Sequence, residues 1–338
     1  MSVQPVRWGL VGPGRIADGV AADFGHVEGG VLHAVASRST DRARAFADRH
    51  GIGVAHGSYG DLLEDDDVDA VYIATPHRQH HAIALAAIAA GKHVLIEKAF
   101  TCTLAGSQEV VDAAQRAGLF CMEAMWTRFQ PAIARAKLLI DDGAIGELRS
   151  VRADLGVKAP FDPTDRLWDP AQGGGALLDL GVYPVSFLQF LLGGRPESFE
   201  LAGAVADIGV DVEAALLWRA EGGRSGVAQC SLRSPLPGTA AAHGTEGWIE
   251  FPPRFHHPDA IRVYPVGDDG RSGEPETFEL PPAGAGYSHE FDEANRCIAE
   301  GLGESPTMPL ADTVTVMAIL EEALHRLDLH FDEAEVEL

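Results

Sequence analysis

A carboxylate and a phenol, Asp179 and Tyr183, stand four residues apart just after three consecutive glycines, in Gln172-Gly173-Gly174-Gly175-Ala176-Leu177-Leu178-Asp179-Leu180-Gly181-Val182-Tyr183. Glycine leaves the backbone bare, so the expectation is a stretch open to close approach by a ligand, where helix propensity is poor. The following residues read as a helix, and a spacing of four puts both polar groups on one face. Such a pair could hold and transfer a proton. The same residues equally fit a glycine loop before a buried helix whose Tyr hydroxyl is merely hydrogen-bonded. Residues upstream have to decide.

Near the start of the chain, Gly12-Pro13-Gly14-Arg15-Ile16-Ala17 fits the spacing G-x-G-x-x-G/A. Gly12 permits a tight turn, Gly14 lets a pyrophosphate approach the backbone, and small Ala17 lets a helix pack closely on a sheet. Free amides at the helix start, around Arg15 and Ile16, then bind phosphate. The next strand tip separates the two nicotinamide cofactors. NAD sites usually carry an acid there for the ribose 2′-hydroxyl, whereas this chain has Ser37-Arg38-Ser39-Thr40. The Arg38 guanidinium is available for a 2′-phosphate, and Arg42 and Arg44 read as helix-surface charges. NADP(H) is the expected cofactor, with NAD(H) as the alternate.

Two later strand ends carry Thr75-Pro76-His77-Arg78-Gln79-His80-His81 and Glu97-Lys98-Ala99 to the edge where open α/β sheets bind ligands. Thr75, His77, His80, Glu97 and Lys98 are expected at the cofactor, although His80 and His81 also fit a helix start. Lys98 could donate hydrogen bonds and lower the pKa of a neighbouring acid. No partner cluster of ligands accompanies these histidines, so no metal is expected.

These residues need a framework that delivers strand ends to one edge. Residues 6–11, 31–36, 70–74 and 93–96 read as buried parallel strands, alternating with helices over 16–24, 41–50, 59–63 and 80–90. A helix over 104–117 and a short strand over 119–122 follow. That alternation indicates a parallel sheet of βαβ units. Beyond about residue 126 the pattern changes: a helix near 133–141 and a strand near 148–154 lead into the glycine-rich stretch. Strand-like segments follow at 198–205, 211–218, 226–231, 240–244, 247–250 and 260–264, joined by Gly, Pro and Asp without crossover helices. They predict a largely antiparallel sheet, closed by helices over 289–300 and 311–327.

At 338 residues the chain is long enough for two cores, with the border expected near 122–128. A formal net charge of −24 argues against nucleic-acid partners and requires locally placed positive charge for an anionic cofactor, which Arg38 would supply. No apolar run approaches the roughly 20 residues of a membrane span, and no signal core follows Met1, so no membrane partner is expected. The four scattered cysteines read as reduced thiols in a cytoplasm.

Taken in order, GPGRIA, TPHRQHH, AGKHVLIEKAF and GGGALLDLGVYP resemble the Gfo/Idh/MocA oxidoreductase family over nearly the whole chain. Within it, the stretch GLFCMEAMWTRF at 118–129, the Ser37-Arg38 tip and Tyr183, where many members carry His, are most like the branch of dimeric dihydrodiol dehydrogenases and NADP-dependent D-xylose dehydrogenases. The resemblance implies an α/β fold. On that resemblance, an N-terminal doubly wound Rossmann domain over 1–124 would bind NADP. A C-terminal α/β domain over 125–338, with a large, mostly antiparallel open sheet, would bind substrate and form a homodimer or homotetramer. It also implies that Tyr183 is the general acid/base. The phenol would take a hydroxyl proton while hydride passes from a sugar, polyol or dihydrodiol carbon to the nicotinamide. Lys98 would belong to the catalytic centre and lower the phenol pKa from about 10. Asp179 would orient the substrate or proton relay, and Trp126 and Trp168 would contact a sugar or ring. Arg166 is a further substrate-side candidate, or with Arg128 holds local structure.

One residue departs from the family pattern: Ala99 replaces the usual proline after Glu-Lys. A cis bond before a residue other than proline costs about 2.5–4 kcal/mol, so a trans Lys98–Ala99 peptide is expected. The alternative function is a non-catalytic NADP-binding regulator of the same fold. Such relatives usually lose the proton-handling groups, and here Lys98, Asp179 and Tyr183 are all present. A glucose–fructose-type enzyme that keeps its cofactor is not the expectation, because its usual N-terminal arm is missing.

Overall fold

A computed structural model describes residues 4–338 and divides them into two compact units. The first holds the chain up to Met125 together with Ala283–Met317 and Phe331–Leu338; the second holds Trp126–Pro282 and Ala318–His330. The division is therefore not a single cut in the sequence.

In the first unit, β1 (Val6–Val11), β2 (Gly30–Ala36), β3 (Val54–His56), β4 (Ala70–Ile73), β5 (His93–Glu97) and β6 (Cys121–Ala124) alternate with helices. These are α1 (Arg15–Asp23), α2 (Thr40–His50), α3 (Tyr59–Leu63), α4 (His77–Ala89) and α5 (Leu104–Ala117). The strands are apolar because helices cover both faces of a parallel sheet, and Leu10, Val71, Ile73, Leu95 and Ile96 have no exposed surface. Ser39, Ser58 and Thr103 cap α2, α3 and α5 by accepting backbone N–H bonds, while Gly51 and Gly118 close α2 and α5 in the left-handed region. All pairings are parallel, in the order β3-β2-β1-β4-β5-β6. The order reverses between β1 and β4, and a doubly wound sheet opens a ligand crevice at the carboxyl ends of such strands. β3, only three residues long, gave no periodic signal.

The second unit begins with α6 (Pro131–Asp141) and β7 (Leu148–Gly156), followed by α7 (Val182–Leu192). A run of strands completes it: β8 (Ser198–Val205), β9 (Asp211–Arg219), β10 (Ser225–Ser231), β11 (Ala240–Gly244), β12 (Gly247–Phe251), β13 (Ala260–Pro265) and β14 (Glu276–Glu279). They form an eight-stranded sheet in the order β14-β13-β12-β11-β7-β10-β9-β8. Every neighbouring pair is antiparallel except β7 and β10. α7 lies on one face of it; a Cβ on Gly226 would come within 2.5 Å of Leu188. By length and composition Pro170–Leu192 could cross a membrane, but 89% of its most apolar window is buried, as in a core helix.

The chain then returns to the first unit with α8 (Ser288–Glu300) and the start of α9 (Leu310–Arg326). Trp8 donates its indole N–H to Asn295 at 2.9 Å, and Phe291 packs edge-on against Trp8, Phe24 and Tyr72. Glu333, near the end of the chain, accepts the Cys102 and Thr103 backbone N–H groups at 3.1 and 2.8 Å.

Candidate active site

In the first unit, the turn between β1 and α1 is shaped for a phosphate. Gly12 sits at φ 90°, where a Cβ would come within 2.8 Å of Thr75 and 3.1 Å of the Ala74 carbonyl. Gly14 is the N-cap of α1 and offers no side-chain cap, and the first turn it opens is the part of a helix that binds phosphate. A Cβ on Gly14 would have no neighbour nearer than 4.0 Å, so this backbone faces open space. Ala17 is fully buried against the sheet. Across the crevice, Thr75 has a buried hydroxyl without a hydrogen-bond partner among the described residues.

At the tip of β2, Ser37 is buried and its Oγ accepts the Ser39 N–H at 3.3 Å, while Arg38 is exposed. Tyr59, at the start of α3, reports where that guanidinium lies. Burial pushes the Tyr59 phenol up, and the Arg38 and Arg42 charges, with a hydrogen bond from Arg38, oppose the shift. Tyr59 had no sequence signal of its own.

His77 opens α4 and lies edge-on to His80 at 5.8 Å. His80 is fully buried, its ring nitrogens 3.0 Å from the Ala99 carbonyl and 2.7 Å from the Thr75 carbonyl. It ties the loop after β4 to the loop after β5. The Lys98–Ala99 peptide is cis, which corrects the trans expectation. Ala99 is fully buried and its carbonyl is held by His80, so tertiary contacts rather than a proline ring set the backbone.

Glu97 accepts the Tyr72 hydroxyl on Oε1 and the Lys98 backbone N–H on Oε2 at 3.1 Å. Burial and the neighbouring Glu97 push the Tyr72 phenol well above its ordinary range, which keeps Tyr72 a donor. Behind them, burial and Glu97 also push the carboxyl of Glu290 on α8 well up. Lys98 itself is half-buried at the carboxyl end of β5.

In the second unit, Tyr183 is the second residue of α7 and is 8% exposed. Its hydroxyl accepts the Trp126 indole N–H at 3.0 Å, and its ring lies 5.0 Å from that of His256. Trp126 stacks on His257, with centroids 5.0 Å apart and planes at 24°. Burial lowers the His257 pKa, as does Arg254, so the ring is neutral at neutral pH. Neither histidine was anticipated. Their only trace is an adjacent pair in a proline-flanked turn, Pro252-Pro253-Arg254-Phe255-His256-His257-Pro258.

Arg166 donates to Asp179 at 2.8 Å. The arginine is 39% exposed and such a pair is worth at most about 1 kcal/mol, so its consequence is the orientation of Asp179. Trp168 donates to the Pro160 carbonyl at 2.9 Å and meets exposed Phe161 edge-on. Arg128 is buried and bonds Gln189 and Ser186 of α7, a structural position.

The glycine run differs from its expectation of a backbone open to ligand. A Cβ on Gly174 would come within 2.6–3.0 Å of the carbonyls of Arg166, Leu167 and Asp169, and one on Gly175 within 2.2 Å of Asp211 Oδ1. Protein atoms fill that space. Asp211 also accepts the Leu177 N–H at 2.6 Å, capping the segment that carries Asp179. Leu177–Gly181 forms a π-helical turn before α7, so an uninterrupted α-helical register does not run through Asp179.

Two family profiles match. One described as an oxidoreductase family with an NAD-binding Rossmann fold covers residues 6–125, and one described as a GFO/IDH/MocA C-terminal domain covers residues 133–250. The chain is 36% identical to the trans-1,2-dihydrobenzene-1,2-diol dehydrogenases of Macaca fascicularis and Homo sapiens, over 97% of this chain and 98% of theirs. It is also similar to a solved levoglucosan dehydrogenase in complex with NADH and levoglucosan: TM-score 0.84, 25% identity, covering 96% of this chain and 98% of that one. A 3-ketoreductase from Actinomadura kijaniata in complex with NADP has a TM-score of 0.82 at 27% identity, covering 98% of this chain and all of that one.

Proposed function

The chain belongs to the Gfo/Idh/MocA family of oxidoreductases, and from that premise we propose that it transfers a hydride between NADP(H) and a secondary alcohol or hemiacetal carbon of a sugar, polyol or dihydrodiol. The family and its relatives assign the reaction class, an NAD(P)-binding oxidoreductase acting on CH–OH groups. The observation that carries the reading is the fit of the β1–β4 crevice to a dinucleotide. It combines the Gly12 cradle, the uncapped start of α1 and the buried Thr75 hydroxyl without a partner among the described residues.

The amides around Gly14, Arg15 and Ile16 would hold the pyrophosphate, Ser37 and Arg38 the 2′-phosphate, and Thr75, His77 and the Glu97–Lys98 loop the nicotinamide half. His80 would hold that loop. When bound, the nicotinamide supplies the hydride acceptor or donor. Tyr183 takes the substrate hydroxyl proton on its phenolic oxygen during oxidation and returns it during reduction. The Lys98 ammonium assists by favouring the phenolate. Asp179, oriented by Arg166, positions the substrate, with Trp168 as a further substrate-side residue. The outer face of the large sheet is the surface for a homodimer or homotetramer. Four free cysteines suit a reducing, cytoplasmic setting.

The test is an absorbance screen with NADP(H) and NAD(H) over trans-dihydrodiols, aldoses, inositols and anhydro-sugars, with Arg38→Ala alongside. Losing a charged contact to the 2′-phosphate should weaken NADPH binding about tenfold to a hundredfold and leave NADH nearly unchanged. An unchanged preference would sink the NADP assignment. Complete inactivity with intact cofactor binding would favour the non-catalytic regulator.

A further inference from the structure

Trp126 meets Tyr183 with its nitrogen. The Nε1–H donates to the Tyr183 hydroxyl at 3.0 Å, one face of the indole stacks on His257, and His256 lies against it at 67°. With 8% of its surface exposed, Trp126 offers little face to a substrate ring. An indole N–H donates and cannot accept. The hydroxyl proton of Tyr183 therefore cannot point at Trp126 and must be aimed at another acceptor. The same N–H interacts more strongly with a phenolate than with a phenol.

We propose that Trp126 is a positioning residue of the proton transfer, whose N–H aims the Tyr183 proton and stabilises the deprotonated oxygen, rather than a platform for substrate stacking. The proposal rests on Tyr183 being the acid/base. Trp126 is uncharged and does not titrate, so it can move the ionisation of Tyr183 without adding a second one.

Elements packed against α7, or against the turn before it, carry titratable or charged groups. The turn after β12 brings His256 ring to ring, with neutral His257, Arg254 and Asp259 beyond it. The π-helical turn carries Asp179, paired with Arg166. β9 brings Asp211, which is bonded to Leu177, and β10 brings Cys230, whose thiol burial pushes well up. Lys98 is the further charge that the proposed mechanism assigns to the phenol.

In oxidation, kcat/KM should rise with pH as Tyr183 ionises. In Trp126→Phe that limb should move up by about one pH unit, a loss of about tenfold at a pH below the limb. The loss should fall on kcat more than on KM. An ultraviolet titration of the phenolate with NADP+ bound, taken as the difference from Tyr183→Phe, should move the same way. An unmoved limb and titration with only KM raised would overturn the proposal and make Trp126 a substrate contact. Should Trp126→Phe not fold, 7-azatryptophan keeps the ring shape with a more acidic N–H and should move the limb down; no movement there overturns the proposal equally. Failure of the underlying reading looks different: Tyr183→Phe would keep the wild-type rate and pH dependence.

Discussion

A phenol that ionises near pH 10 is a poor base at neutral pH, with only about one molecule in a thousand deprotonated. Tyr183 therefore needs help, and the reading supplies it from a cation, Lys98, and a neutral donor, Trp126. Tyr183→Phe and Lys98→Ala should each lower turnover by about 10²–10⁴-fold, and in Tyr183→Phe NADP(H) binding should persist, as cofactor titration would show. Lys98→Ala should also raise the pH of the oxidative limb, because the lost charge favoured the phenolate. Near-normal rates in either variant would reject the assigned role. The sequence singles these two residues out because each follows a mark in its own stretch: Lys98 follows a strand, and Tyr183 follows a glycine run. Tyr59, Asp211, His256 and His257 are not singled out. They reach their neighbours through tertiary return, with Tyr59 beside Arg38 and His256 beside Tyr183, and no local pattern encodes that.

At the scale of elements, the glycine run shows how a correct signal acquires another cause. Gly174 and Gly175 are required because carbonyls and a carboxylate press on their backbone, whatever ligand binds nearby. The carboxylate is Asp211, whose pKa burial pushes up to about 7, against the pull of the Leu177, Asp211 and Ala176 backbone N–H groups. Its folded pKa lies above the ordinary 3.8, so the native state holds its proton more tightly than the unfolded chain. That contribution to stability is fully present below about pH 4 and is lost as pH rises towards 7, on the order of 4 kcal/mol over the window. Asp211→Asn keeps an acceptor for the Leu177 N–H and does not titrate. Denaturation midpoints should show the variant gaining on the wild type as pH rises from 4 to about 8, converging below pH 4. Parallel curves would refute the shift. Strand and helix centres were readable throughout from apolar periodicity. The three-residue β3, the four-residue β14 and the π-helical turn were not, because short segments carry too few side chains to show a period.

At the scale of the whole molecule, the second unit's sheet has one face covered by α7 and another that the register defines. Along one row of that outer face, Glu200, Leu217, Val227, Arg152, Ala241, Glu250 and Arg262 stand opposite one another in turn. Leu217 is 57% and Val227 45% exposed, amid a Glu250–Arg262 ion pair and a Trp248–Tyr264 stack at 4.1 Å. Apolar side chains ringed by charges of both signs fit a two-fold, self-complementary contact. A stable dimer would need to cover about 800 Å² on each copy. Each chain carries a net charge of −24, so the copies repel at long range and association should strengthen as salt screens the repulsion. Leu217→Glu with Val227→Glu places two acids in the apolar part of the row and none near the proposed chemistry. Sedimentation should show the wild type as a dimer or tetramer and the double variant one step smaller, with NADP(H) binding intact. A monomeric wild type, or an assembly indifferent to both substitutions, would remove this face as the interface.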